Sequence, residues 1–329
     1  MEIATRNVNQ AFSDVFWRMK AENLIPEMSR NGPVLAFPEP VIITYKYPQE
    51  RVLFHEGRDA NVIFHILESI WMLAGRRDVA FLQLFNSRIG QYSDDGENFN
   101  AAYGYRWRHH FGQDQLVNVI ETLRADPTSR QAVIQMWDAA DLTRPTKDKA
   151  CNTQLVFDCR GGRLNMAVFN RSNDIYWGAL GANAVHFSFL QEFVAHALQL
   201  RMGVYRQISV NLHLYLELYD ASKYVRNPPD AAEFDFYSNG QVRPHPIMLN
   251  DDYVGFINDC EVFCRDPFDG DYEYTHSFFN TVAHPLAMIS KTRRGHSGDG
   301  RSWADRVAAE DVKRAAQQWI ARRERLKAA

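Results

Sequence analysis

The sequence predicts an α/β fold of the α+β kind, a mixed sheet packed by helices, and three observations carry that reading. Segments with strand period and segments with helix period both occur along the 329 residues. They do not alternate strictly, which argues against a doubly wound parallel sheet. A hairpin pattern over 151–170 and a long helix over 183–202 follow one another in the chain.

Each element follows from local pattern. Residues 26–50 hold several prolines and short apolar runs, 41–44 among them, and read as strands and turns. In 60–74 the apolar positions Ile63, Ile66, Leu67 and Ile70 have helical spacing, and Gly75 ends that helix. Residues 85–102 are rich in Asn, Asp and Gly and form a long loop, a length that is usually functional or disordered. Residues 114–125 form an amphipathic helix on Leu116, Val119, Ile120 and Leu123, stopped by Asp126-Pro127. A strand over 132–137 leads into the charged loop LTRPTKDKA. CNTQLVFDC and RLNMAVFN then alternate as strands around a Gly161-Gly162 turn. A long helix spans 183–202, capped by Gly203, and ISVNLHLYLEL returns to strand or helix. Beyond about 245 the pattern weakens, and 303–329 reads as a charged helix. With no internal repeat, the expectation is one domain over 1–329, with a core at about 10–245 and a divergent C-terminal extension at 246–329.

Composition narrows the function. Lys and Arg total 37 against 40 Asp and Glu, a net charge of −3. That excludes a general affinity for nucleic acid or an anionic membrane, which needs a basic surplus. No apolar run approaches the roughly 18 residues of a membrane span. The N-terminus MEIATRNVNQAF lacks the layout of a signal peptide. Four scattered cysteines give neither a disulfide framework nor a zinc site, so no metal and a reducing cytoplasm are expected.

Several residues could carry chemistry. Cys151 opens a strand, and FNRSND lies at the end of its hairpin partner. A free cysteine is more often buried and inert. A guanidinium nearby favours the reactive thiolate, and Arg171 beside Ser172 suits a phosphate ester. Glu68 sits in an apolar helix, where burial raises a carboxyl pKa, although a wet edge explains it equally well. Tyr103 lies in the aromatic cluster AAYGYRW, and His213 and Tyr215 share a strand face; packing accounts for all three as well. Arg130 follows a helix stop in DPTSR and alone reads as a surface arginine. Together they supply a nucleophile, an activating cation, a buried acid and phosphate donors.

The order of these motifs resembles the thymidylate synthase superfamily from about residue 55 to 220. The landmarks are LESIWML at 67–73, YGYRW at 103–107, DPTSR at 126–130, Cys151, RSND at 171–174, Gly178, Asn183 and HLY at 213–215. The resemblance implies a three-layer fold with a curved mixed sheet, and a homodimer with shared sites. It also implies 5,10-methylenetetrahydrofolate as co-substrate and a pyrimidine nucleoside monophosphate as substrate. Cys151 would add to C6 of the ring. Arg171 and Ser172 would hold the phosphate, with Arg30 a further contact and Arg130 reaching the partner's site. Glu68 would order the proton network, and Tyr103 would assist proton removal at C5. Asp174 would hold the pterin, Gly178 would give it room, Asn183 would read the base, and His213 and Tyr215 would bind the sugar.

Departures from the family pattern set the branch. Asn152 stands where a methylating member has histidine, and Gln131 where it has arginine. RSND replaces RSCD, residues 79–106 lack a tryptophan, and ERLKAA does not resemble the apolar terminus. These features resemble the CMP and dCMP 5-hydroxymethylases, especially those of nucleoside-antibiotic pathways, in which water ends the reaction. The expectation is therefore hydroxymethylation of CMP or dCMP. The alternatives are a thymidylate synthase or dUMP hydroxymethylase, a silent nucleotide-binding dimer, and a cysteine hydrolase using His186 or His196. GALGAN is one residue longer than the family spacing, so Asn183 or Ala182 could occupy the base-reading place. An amide offers a donor or an acceptor, so Asn183 alone does not choose between uracil and cytosine.

Overall fold

The computed structural model describes residues 1–217, 220–293 and 299–328. Leu218, at the end of ISVNLHLYLEL, and Ala329, at the end of the charged tail, lie outside the described residues.

Among the described residues ten strands form two sheets. They are β1 (Glu2–Thr5), β2 (Ile25–Ser29), β3 (Gly32–Ala36), β4 (Val41–Tyr45), β5 (Val133–Gln135), β6 (Asn152–Arg160), β7 (Arg163–Asn170), β8 (Asn173–Asp174), β9 (Arg201–Ser209) and β10 (Leu212–Tyr215). One sheet has six strands in the order β1-β4-β9-β7-β6-β5. It is mixed: β1 runs parallel to β4 and β7 parallel to β9, while the other pairs are antiparallel. The sequence did not separate the second sheet, of four strands ordered β2-β3-β10-β8.

The helices are α1 (Val8–Ala21), α2 (Val62–Leu73), α3 (Val79–Gln83), α4 (Tyr103–Tyr105), α5 (Gln115–Ala125), α6 (Asn183–Ala197), α7 (Ser222–Arg226), α8 (Tyr253–Phe263), α9 (His284–Arg293), α10 (Gly300–Asp305) and α11 (Glu310–Ala328). Side-chain caps start the amphipathic ones: Asn61 accepts from Phe64 N before α2, and Asp114 from Val117 N before α5. After α2, Gly75 N–H donates to Met72 O and Arg76 N–H to Trp71 O, which closes the helix as its glycine implied. α6 lies against β7 and β9, and α2 packs on α6. That stack places the two helices over the sheet end where β6, β7 and β8 meet.

The hairpin β6–β7 turns on Gly161 and Gly162, whose φ values of 57° and 69° suit the twist of a tight β-hairpin. The long helix is shorter than expected. It ends at Ala197, not 202, because Gln199 takes a left-handed φ of 55° and Leu200 N–H bonds Ala195 O. Gly203 is therefore not a cap but a strand residue. A Cβ there would come 2.9 Å from Leu164 O, beside the register shift at which Asn165 Oδ1 accepts from Val204 N. The charged tail is two helices, α10 and α11, broken at 306–309. Residues Val307, Ala316, Trp319 and Ile320 are buried in the same hydrophobic cluster as α2 and α6, and Tyr237 Oη donates to Asp311 Oδ2 at 2.8 Å. The long loop at 85–102 carries one short turn, Ile89–Tyr92, and an isolated bridge from Asn98 back to Asp78.

Candidate active site

A cleft of about 820 Å³ opens where β6, β8, β10 and the N-termini of α2 and α6 converge. Cys151, Glu68, Tyr103, Ser172, Asp174, Gly178, Asn183, His213 and Tyr215 all line it. Residues far apart in the chain thus meet around one thiol.

The loop before Cys151 is held from below. Arg106 and Asp141, neither exposed, form an ion pair, and Arg106 also donates to Met136 O and Asn100 O. Asp148 Oδ2 accepts from Ala101 N at 2.8 Å. Tyr103 Oη then accepts from the backbone N–H of Cys151 at 3.1 Å and of Asn152 at 3.3 Å. A phenol oxygen has two lone pairs and one proton, so Tyr103 is left with only its proton to offer. Burial pushes its pKa well up, and Cys151 adds to that.

Arg171 Nε donates to Ala150 O at 2.8 Å, and Nη2 stands 3.8 Å from Cys151 Sγ. Burial pushes the thiol pKa above its ordinary value, while Arg171 and Arg30 pull it back. The guanidinium acts in the expected direction, but burial outweighs it. Arg171 and Arg30 are exposed beside the cleft, Arg30 donating to Lys147 O at 3.0 Å. Arg130 is exposed and lies outside the cleft lining.

Asp174 Oδ2 accepts from Trp177 N at 2.5 Å and caps the turn Ile175–Ala182. Its Oδ1 is buried with no hydrogen-bond partner among the described residues. Burial raises the Asp174 pKa; the Trp177 N–H and the neighbouring His213 oppose this. His213, paired in register with Asp174, is itself pulled down by burial, and its Nδ1 lies 2.7 Å from Asn211 Oδ1. Within GALGAN, Gly181 has a φ of −129° and a ψ of −108° that break the turn. Asn183 and Ala182 both line the cleft. A Cβ at Gly178 would stand 2.6 Å from Asn173 Oδ1, so this position is kept open for packing around the site.

Glu68 Oε2 lies 3.1 Å from His186 Nε2, at the border of a second cavity of about 240 Å³. That histidine sits on α6 beneath the cleft floor. Sequence reasoning weighed it only as a hydrolase base. It also missed Arg58, Trp177, Trp319 and Arg323, which line the cleft. Trp319 had a signal: Val312, Ala315, Ala316, Trp319 and Ile320 recur at helical spacing. In the fold Trp319 is nearly buried, with the Arg293 guanidinium 4.1 Å and the Arg323 guanidinium 5.2 Å from its ring centre. Among the described residues no group of His, Cys, Asp and Glu could hold a metal ion, and no helix is long and apolar enough to cross a membrane.

Comparisons with known proteins give the family and the fold. The family model described as Thymidylate synthase matches residues 54–239. The chain is 43% identical to the deoxyuridylate hydroxymethyltransferase of Pseudomonas phage M6, over 98% of this chain and 94% of that one. It is 43% identical to the deoxyuridylate hydroxymethyltransferase of Bacillus phage SP01 over 55% of this chain and 51% of that one. Among solved structures, thymidylate synthase from T4 phage superposes with a TM-score of 0.56, covering 67% of this chain and 81% of that one at 21% identity. That likeness gives the fold: mixed sheets packed by helices.

Proposed function

The chain belongs to the thymidylate synthase family, and from that premise we propose that it transfers a one-carbon unit to C5 of dUMP and ends the reaction with water, giving the 5-hydroxymethyl nucleotide. Folate-dependent one-carbon transfer to a pyrimidine nucleotide fits the family. The observation that carries the finer reading is the 43% identity, over 98% of the chain, to a protein named for deoxyuridylate. It favours uracil over the cytosine expected from RSND and Asn152, and it gives no support to an antibiotic pathway.

The cleft suits a folate. Asp174 Oδ1 is a buried acceptor in want of a donor, which the N–H groups of a pterin ring provide. Trp177 and Tyr92, both exposed and with ring centres 6.1 Å apart, offer aromatic surface to the ring. They take the place of the tryptophan absent from 79–106. Asp174 would hold the pterin, with Gly178 leaving it space, and Arg323 would face the carboxylate end. Bound folate supplies the carbon as an electrophilic methylene.

The chain's residues do the rest in this reading. Cys151 Sγ bonds to C6, which makes C5 nucleophilic. Arg171 draws the thiol toward thiolate and, with Ser172 and Arg30, binds the phosphate. Arg130, outside its own cleft, serves the phosphate site of a second copy in a homodimer. His213 and Tyr215 bind the sugar, and Asn183 reads the base. C5 takes the methylene carbon and then loses its own proton to solvent as tetrahydrofolate leaves, which gives the exocyclic methylene. Tyr103 donates a hydrogen bond to charge that develops on the ring near C5. Glu68, beside His186, receives the proton of the water that adds to the exocyclic methylene of the pyrimidine. Re-formation of the C5–C6 double bond then expels Cys151 as thiolate. Water, not hydride, ends the cycle, so no reductant is consumed.

The test is product mass. The protein is incubated with methylenetetrahydrofolate and, separately, dUMP, UMP, dCMP and CMP. A hydroxymethyl group on dUMP is the expected result. A hydroxymethyl group on a cytosine nucleotide, or a methyl group on dUMP, would overturn it.

A further inference from the structure

We propose that Gln207 and Asn173 determine which base Asn183 accepts, by locking its amide in the donor–acceptor order that fits uracil and rejects cytosine. The proposal rests on the uracil reading above and goes beyond it to the device that makes the choice.

An amide side chain carries an acceptor oxygen and a donor nitrogen of nearly equal shape, and half a turn exchanges them. Uracil presents an acceptor, O4, beside a donor, N3–H. Cytosine presents the reverse, an amino donor beside an unprotonated N3. A freely turning amide serves both bases equally, so only a held amide discriminates.

The hold starts at the backbone. Ala179 O can only accept, and Gln207 Nε2 donates to it at 2.9 Å, as does Tyr45 Oη at 3.0 Å. The nitrogen end of Gln207 is thereby fixed, and its Oε1 faces the other way. There it accepts from Asn173 Nδ2 at 3.0 Å; the same nitrogen donates to Ser209 Oγ at 3.0 Å. Asn173 must then turn its Oδ1 toward Asn183, whose Nδ2 donates to it at 3.0 Å. Asn183 Oδ1 is left to accept from Asn152 Nδ2 at 3.4 Å. Each amide is oriented by the one before it, back to a carbonyl that has no second role.

Burial keeps the relay rigid. Gln207 is 0% and Asn173 3% exposed, so a reversed amide would set oxygen against oxygen with no water to relieve it. The far end of the relay is at the nucleophile. Asn152 follows Cys151 in the chain, and Cys151, Asn152 and Asn183 line the same cleft. A ring bonded to Cys151 therefore lies against the amide that the relay orients.

The experiment measures dissociation constants of dUMP and dCMP, without folate, by titration calorimetry. The proteins are the wild type, Gln207→Met, Asn173→Ala and Ser209→Ala. The wild type is expected to prefer dUMP by about 100-fold or more, the range open to a site built on fixed polar partners. Gln207→Met and Asn173→Ala each cut the relay at a different link and should bring that preference to within about tenfold. Ser209→Ala should keep it, because a hydroxyl serves either order. If one relay variant does not fold, the other decides. A preference unchanged in the relay variants, or equal weakening of both nucleotides, overturns the relay. A wild type that prefers dCMP overturns the uracil reading instead, and the relay then stands or falls on whether the variants lose that preference.

Discussion

Removing one oxygen from Tyr103 tests how the nucleophile is held. In Tyr103→Phe the backbone N–H groups of Cys151 and Asn152 lose the acceptor they share at 3.1 and 3.3 Å. An orphaned buried donor costs about 1–3 kcal/mol. Asn152 is 1% exposed and bears the full cost, whereas the Cys151 N–H borders the cleft and regains part of its own from water. The sum is about 2–4 kcal/mol, to be read from urea unfolding of the ligand-free protein. Turnover falls as well, by about 10²-fold if the phenol proton stabilises charge in the transition state. The shape of the pH–rate profile should not change. Burial keeps the phenol protonated through the working range, so it contributes no titrating limb. Loss of a limb in Tyr103→Phe would show Tyr103 to be a base and refute the reasoning. So would a variant as stable as the parent.

Other predictions follow from single groups. Cys151→Ser should lose nearly all turnover and keep nucleotide binding in calorimetry; retained turnover removes Cys151 from the chemistry. Arg171→Ala should weaken dUMP by about 10–100-fold, the worth of a charge-assisted contact, and leave deoxyuridine nearly untouched; equal losses deny it a phosphate role. Asp311 is buried and its pKa is pushed up to about 6, with the Tyr237 hydroxyl, Val312 N–H and Arg51 opposing the shift. The unfolded chain releases that proton near pH 4, so stability falls as pH rises from there through about 6, by roughly 3 kcal/mol in all. Asp311→Asn should therefore raise the melting temperature at pH 8 and not at pH 4; an equal rise at both would exclude the linkage.

Local chemistry made much of this fold legible. The Gly161-Gly162 turn, the Asp126-Pro127 stop and the cap at Gly75 each need one conformation, and the chain adopts it. Gly203 misled because a glycine after an apolar run reads as a cap. What decided it was an approach to Leu164 O, which no neighbour in sequence reveals. The motif residues of the cleft were legible because their order is preserved, although their orientation was not. Tyr103 was expected to assist proton removal, and only the structure shows that its oxygen accepts from the backbone N–H groups of Cys151 and Asn152. The relay from Ala179 to Asn183 was invisible, since Gln207 and Asn173 matter through what they touch. The wall built by Arg293, Trp319 and Arg323 was hidden in a region whose charge drew attention from its apolar stripe.

That wall ties the cleft to the order of synthesis. Chains fold from the N-terminus as they leave the ribosome. Cys151, its backbone clamp and the sheet beneath it are all translated before α9 and α11 exist. In the fold Arg293, Trp319 and Arg323 line the same cleft as Arg58, Asn61 and Cys151. A growing chain, or one cut short before residue 310, would thus lack the Trp319 and Arg323 part of the cleft. The catalytic geometry matures late, and a chain ended early by a stop codon should be silent however well its first 250 residues fold.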